Sequence, residues 1–163
     1  MALSKLDQLY RQVILDHSKH PHHYGSLAIK NNEIELNNPT CGDVIKLQIQ
    51  LDDHLQKVTD AKFTGHGCSI STASASMMCD AIIGQDVQTA QKMIEQFLHL
   101  VQGEDVELDE ALEEVAVLQG VAKFPARIKC ATLAWKALEQ ALDSEDKTSL
   151  VQQQHKLEEE ANE

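Results

Sequence analysis

The sequence contains no Cys-x-x-Cys pair, and its 163 residues include only three Phe, two Tyr, one Trp and three Pro. The first absence excludes zinc ribbons and thioredoxin-type redox sites. The second means that a core has to be built from Leu, Ile, Val, Ala and Met, and it leaves no aromatic platform on which bases could stack. Positive charge is also scarce: 14 Lys and Arg stand against 26 Asp and Glu, a formal net charge of −12. Such a chain gains nothing from counterion release on a polyanion, which argues against DNA, RNA and anionic membranes as partners. No apolar run approaches the roughly eighteen residues of a membrane span, and the first residues lack the apolar centre of a secretory signal. A soluble, cytoplasmic protein is expected, and in that compartment the four cysteines are not expected to form disulfides.

What remains is enough for a globular body. Apolar residues make up 42% of the chain, which suits one domain of ordinary size. That domain is expected over residues 1–143. Residues 144–163, with six acids and two bases, read as a polar acidic tail.

Periodicity supplies the elements. Leu3, Leu6, Tyr10, Val13 and His17 share one helical face over residues 3–19, with Leu9 and Ile14 beside it and Ser4 as N-cap. Pro21 ends that helix in a turn rich in imidazole, where a solvated helix end is a simpler reading than a metal site. A short strand is expected over residues 34–36. Ile45, Leu47, Ile49 and Leu51 then alternate with polar residues, the pattern of a half-buried strand. A loop at Asp52-Asp53-His54 returns the chain as a strand over residues 57–64, and so short a connection implies antiparallel pairing. Helices are expected from Ile70 to the stop at Gly84, from Val87 to about Gly103, over residues 104–119, and from Pro125 to Asp143. The fold class is therefore α+β: a small antiparallel three-stranded sheet packed against an N-terminal helix and a C-terminal helical bundle.

Four groups stand out chemically. Cys41 and Asp43 lie on the turn Asn38-Pro39-Thr40-Cys41-Gly42-Asp43, which precedes one strand of the hairpin. Cys68 follows the other strand, between Gly65-His66-Gly67 and a run of small residues, where Ser69 or Ser71 is expected to cap a helix. In an antiparallel hairpin these two points share one end of the sheet. Cys130 falls in the first turns of the last helix, near a second positive helix end. Thiols at such ends are biased toward thiolate. Three thiolates and one carboxylate make a full tetrahedral shell for zinc, with Zn–S of about 2.3 Å. Sulfur donors exclude magnesium and calcium and leave zinc, iron or an iron–sulfur cluster. Cys79, on the apolar face of its helix, reads as a small core residue.

The three motifs Asn38-Pro39-Thr40-Cys41-Gly42-Asp43, Gly65-His66-Gly67-Cys68 with its Ser/Ala-rich continuation, and Pro125-Ala126-Arg127-Ile128-Lys129-Cys130 together resemble the NifU N-terminal/IscU family. The resemblance runs from about Leu3 to Leu142. It implies a role in iron–sulfur cluster biogenesis and maps the family's metal-site positions onto Cys41, Asp43, Cys68 and Cys130. IscU-type scaffolds carry a histidine before the third cysteine, where this chain has Lys129, and the stretch between Cys68 and Cys130 is longer here. Both departures resemble the SufU branch. That branch implies a zinc-bound persulfide acceptor that works with a SufS-like cysteine desulfurase, without independent turnover, and hands sulfur to SUF-type assembly proteins or apo-proteins. The alternative that the resemblance keeps open is a scaffold on which Cys41, Cys68 and Cys130 hold a transient [2Fe–2S] cluster. A lysine ammonium has no lone pair for iron, but Lys129 and Arg127 could offset the negative charge of the ligand set. On the relay reading the acceptor is Cys41, whose turn can move without disturbing a helix.

Overall fold

The computed structural model describes residues 5–39 and 42–143, the side chain of Leu6 apart. The expected helix positions Leu3 and Ser4, the ligand Cys41 and the tail 144–163 therefore lie outside the described residues. Helix α1 spans Lys5–Lys19 and is followed by β1 (Asn32–Asn38), β2 (Asp43–Leu51) and β3 (Val58–His66). The chain then turns helical as α2 (Ser69–Ile82), α3 (Val87–Leu100), two 3-10 segments (Glu110–Leu112 and Glu114–Lys123) and α4 (Pro125–Asp143). Among the described residues, no helix is long and apolar enough to cross a membrane.

The three strands form one antiparallel sheet in the order β1-β2-β3. Its alternation is the one read from the sequence: Ile45, Leu47 and Ile49 are buried against the helices. The first strand is longer than residues 34–36, because pairing with β2 extends from Asn32↔Ile49 to Asn38↔Asp43. That extension matters for the site, since it makes Asp43 the opening residue of β2. At the same end Val44 pairs with His66, so β3 delivers the chain to Gly67 and Cys68 beside Asp43.

Helix α2 is the centre of the fold. Ten of its fourteen residues are buried, including Ser71, Ser74 and Ser76. Small side chains let α1 and α4 approach it, and the serines supply hydrogen bonds where apolar groups could not. Ser74 Oγ donates to the Ala131 carbonyl at 2.6 Å and accepts from Trp135 Nε1–H at 2.9 Å. Trp135 in turn stacks on Phe97, with ring centroids 4.2 Å apart. One hydroxyl thus satisfies two groups of α4. Ser74→Ala should leave the buried indole N–H without a partner and lower stability by about 1–3 kcal/mol, measurable as a shift of the urea midpoint at unchanged slope. Cys79 is fully buried on the same helix, and burial pushes its thiol well above the usual range. It is the core residue that its position implied.

Two expectations need correction. Leu9 is 58% exposed and so does not share the buried face of α1, which rests chiefly on α2. Residues 104–119 are no α-helix: residues 104–109 form neither helix nor strand, and the two 3-10 segments follow. The reason is visible in the spacing. Leu112, Val115, Leu118 and Val121 recur at every third position, and all four are buried. A stripe of period three stays on one side of a 3-10 helix, whereas it drifts around an α-helix.

Candidate metal centre

Three elements bring the site together. Asp43 begins β2, Cys68 is the N-cap residue of α2, and Cys130 lies in the second turn of α4. One ligand atom from each lies within 4.8 Å of the other two. Asp43 is 1% exposed and Cys130 3%, while Cys68 is half-buried.

The carboxylate of Asp43 is held on one side only. Its Oδ1 accepts the Cys68 backbone N–H at 3.0 Å, which satisfies one of the free donors at the start of α2. Among the described residues, its Oδ2 is buried without a hydrogen-bond partner. A buried carboxylate oxygen left bare in this way costs free energy on the order of a few kcal/mol unless a cation faces it. Neither Ser69 nor Ser71 caps α2. Cys68 takes the cap position with extended backbone, and Ser71 Oγ instead donates to the Cys68 carbonyl at 2.9 Å.

The glycines around Cys68 have separate reasons. At Gly65 φ is +131°, and a Cβ would stand 2.0 Å from the Val44 carbonyl oxygen. At Gly67 a Cβ would stand 2.3 Å from Ser71 Oγ and 2.6 Å from Asp43 Oδ1. The first glycine lets β3 cross close to β2; the second makes room for the carboxylate. A residue with no motif around it completes the support: Tyr24 packs edge-on against Phe63 and donates its hydroxyl to the Gly65 carbonyl at 2.9 Å. Nothing in the pattern around Tyr24 pointed to that role, beyond its being an aromatic in a chain with few.

Cys130 Sγ is 3.7 Å from the Ala126 carbonyl, one turn back in α4. Arg127 and Lys129 are exposed on the first turns of the same helix. Lys129 and Lys136, with Pro39, Asn38 and Leu133, line a shallow groove of about 270 Å³ running past the β1–β2 connection. The sequence-derived ligands are therefore placed as follows: Asp43, Cys68 and Cys130 converge, and Cys41 falls outside the described residues; Cys79, read as a core residue, stands apart in the core. Two thiols and a buried carboxylate are a donor set for zinc or iron and a poor one for magnesium or calcium.

Residues 9–131 match the family model described as NifU-like N terminal domain. The chain belongs to that family. It is 52% identical over 143 residues to the zinc-dependent sulfurtransferase SufU of Bacillus subtilis, covering 88% of this chain and 95% of that protein. It is 51% identical over 142 residues to the iron-sulfur cluster assembly scaffold protein IscU of Streptococcus pyogenes serotype M1, covering 87% of each. The crystal structure of a hypothetical protein, 48% identical, superposes with a TM-score of 0.78 over 85% of this chain and 99% of that one. These relatives bear out the resemblance carried by the three cysteine motifs, and the shared fold bears out the α+β architecture.

Proposed function

We propose that this chain is a zinc-holding sulfur acceptor in iron–sulfur cluster assembly. It takes sulfur from a SufS-like cysteine desulfurase and passes it to downstream SUF-type assembly proteins or apo-proteins, and it works in the cytoplasm. The observation that carries this reading is the bare, buried Oδ2 of Asp43 beside the thiols of Cys68 and Cys130. Asp43, Cys68 and Cys130 would hold zinc with Cys41 as fourth ligand, in a domain that ends at Asp143 ahead of the acidic tail. Zinc, when bound, keeps its thiolates deprotonated near neutral pH.

The chain's own residues do the rest. The Cys41 thiolate attacks the outer sulfur of the desulfurase persulfide. A new S–S bond forms at Cys41, the donor's S–S bond breaks, and the donor cysteine leaves as a thiolate. Cys68, the N-cap residue of α2, and Cys130, in α4, serve as anchors. The exposed Arg127 and Lys129 attract the anionic partner sulfur and offset the charge of the ligand set.

Metal analysis of the purified protein, paired with a desulfurase assay in its presence and absence, tests the reading. Zinc at one equivalent or more with clear stimulation is the expected result; a metal-free, inert protein would overturn it. Asp43→Ala should lower zinc affinity by roughly tenfold or more, read by competition with a chromogenic chelator. Unchanged affinity would remove Asp43 from the ligand set.

The 51% identity to a relative named as a scaffold supports a second reading. In it Cys41, Cys68 and Cys130 receive a [2Fe–2S] cluster as cargo. Anaerobic reconstitution that yields a stable cluster, transferable to an apo-ferredoxin, would favour it. Lys129 weighs for zinc and sulfur relay, because an ammonium offers iron no ligand.

A further inference from the structure

Away from the cysteine centre, a second group of ligating side chains converges where α1, the turn after it and α2 meet. His17, near the end of α1, has a side chain only 7% exposed. Its Nδ1 lies 2.7 Å from Ser76 Oγ, and its Nε2 contacts the carboxylate of Glu114. His22 follows in the turn: its backbone N–H donates to the same Ser76 hydroxyl at 2.7 Å, and its Nδ1 lies 2.6 Å from Asp80 Oδ2. The two imidazole rings are 4.5 Å apart between centroids. Ser76 and Asp80 are one turn apart on α2 and so present their side chains to the same side. One ligand atom from each of His17, His22 and Asp80 lies within 4.8 Å of the other two.

We propose that His17, His22 and Asp80 form a second metal site, for a divalent transition ion of the zinc, cobalt or nickel type. Two imidazoles and one carboxylate suit such ions, whereas magnesium and calcium call for an all-oxygen shell. The set is pre-oriented. His17 is buried and held at both ring nitrogens, so its ring is fixed in place and one of those two hydrogen bonds gives way to the ion; His22 is fixed by its own backbone hydrogen bond. Asp80 is anchored by a second imidazole, His23 Nε2 at 2.8 Å, from a residue in the left-handed region at φ 60°. A non-glycine residue seldom adopts that conformation, and here two successive histidines reach one carboxylate. A fourth donor is at hand in Glu114, beside His17. The side chains of His22 and Asp80 are 55% and 38% exposed, so an ion enters from solvent on that side. The site also has a purchase on the cysteine centre. The turn it clamps continues into Tyr24, whose hydroxyl holds the Gly65 carbonyl ahead of Cys68. Occupancy would steady the strap that positions that loop.

The test is an anaerobic cobalt(II) titration of the tag-free, full-length chain. Cobalt at the cysteine centre carries thiolate-to-metal charge-transfer absorption; cobalt on imidazole and carboxylate does not. Wild type should take up an equivalent lacking that absorption, in addition to any that shows it. His22→Gln combined with Asp80→Asn should weaken the silent equivalent by about tenfold or more and leave the charge-transfer equivalent unchanged. Absence of a silent equivalent in wild type, or its retention within about twofold in the double variant, far short of the loss of a ligand, would overturn the site. A silent equivalent bound without any charge-transfer band would still support it, while counting against the cysteine centre.

Discussion

Cys41→Ala should reduce a stimulated desulfurase to the rate it shows alone. The three cysteines among the described residues each sit in a helix or at its cap. Cys68 is tied into α2 as its N-cap residue, with its N–H on Asp43 Oδ1. Cys130 is 3% exposed in the second turn of α4, and Cys79 is fully buried. Cys41, by contrast, falls between the last residue of β1 and the first of β2, flanked by Pro39 and Gly42. The connection is pinned outside Cys41: the Gly42 N–H donates to the Asn38 carbonyl at 2.8 Å, and Gly42 takes φ +75°. A nucleophile has to approach the outer sulfur of a partner's persulfide, and a thiol locked inside a helix cannot do so without breaking it. Cys79→Ala is the control. It removes a thiol that burial keeps protonated and should leave stimulation intact. A one-sulfur mass increment on the peptide carrying Cys41, seen after incubation with desulfurase and cysteine, would identify the acceptor directly. Full stimulation by Cys41→Ala would transfer the acceptor role to another residue.

Much of this geometry was legible before any coordinates, and the reasons differ by residue. The strict alternation from Ile45 to Leu51 fixes which face of β2 is buried, because a one-residue slip would turn every side chain over. With an antiparallel hairpin, that alone brings Asp43 and Cys68 to one end of the sheet. Cys130 is another matter. It lies 62 residues beyond Cys68 in the chain, and no local pattern reports a meeting so distant; the chemistry of the four groups makes it a candidate, and the family resemblance maps it to the site. The 3-10 segments are legible only in the period of three kept by Leu112, Val115, Leu118 and Val121, which an α-helical template absorbs as noise. The α2 cap differs from the serine expected there for a subtler reason. Serine is the commoner cap, but Cys68 holds the cap position with no side-chain cap hydrogen bond, its own N–H going to the Asp43 carboxylate from β2. The partners of Tyr24 and of the imidazole-rich turn, which reads by itself as a solvated helix end, are not legible, because they lie on elements far away in sequence.

Gly65→Ala should cost the fold more than any other single methyl group added near the centre. Two penalties coincide there. At φ +131° a side chain is strained in any surroundings, by about 1–3 kcal/mol. The new Cβ would also stand 2.0 Å from the Val44 carbonyl oxygen, a backbone atom of the central strand that cannot swing aside. Relieving that contact means separating β2 from β3 at the Ile45↔Gly65 pair, adjacent to Asp43; forcing extra bulk into packed structure adds roughly another 1–3 kcal/mol. The expected outcome is a much lower denaturation midpoint together with lost zinc. Gly67→Ala should behave differently. Its Cβ would meet Ser71 Oγ and Asp43 Oδ1, both on side chains that can rotate, so the fold should survive while the carboxylate turns away and metal affinity falls. Gly120→Ala, with open space around it and no left-handed φ, should stay within about 0.5 kcal/mol of wild type. Paired urea denaturation and zinc competition on the three variants separate the effects. If Gly65→Ala matched Gly120→Ala in stability, the close crossing of β3 over β2 would not be the feature that holds Cys68 against Asp43.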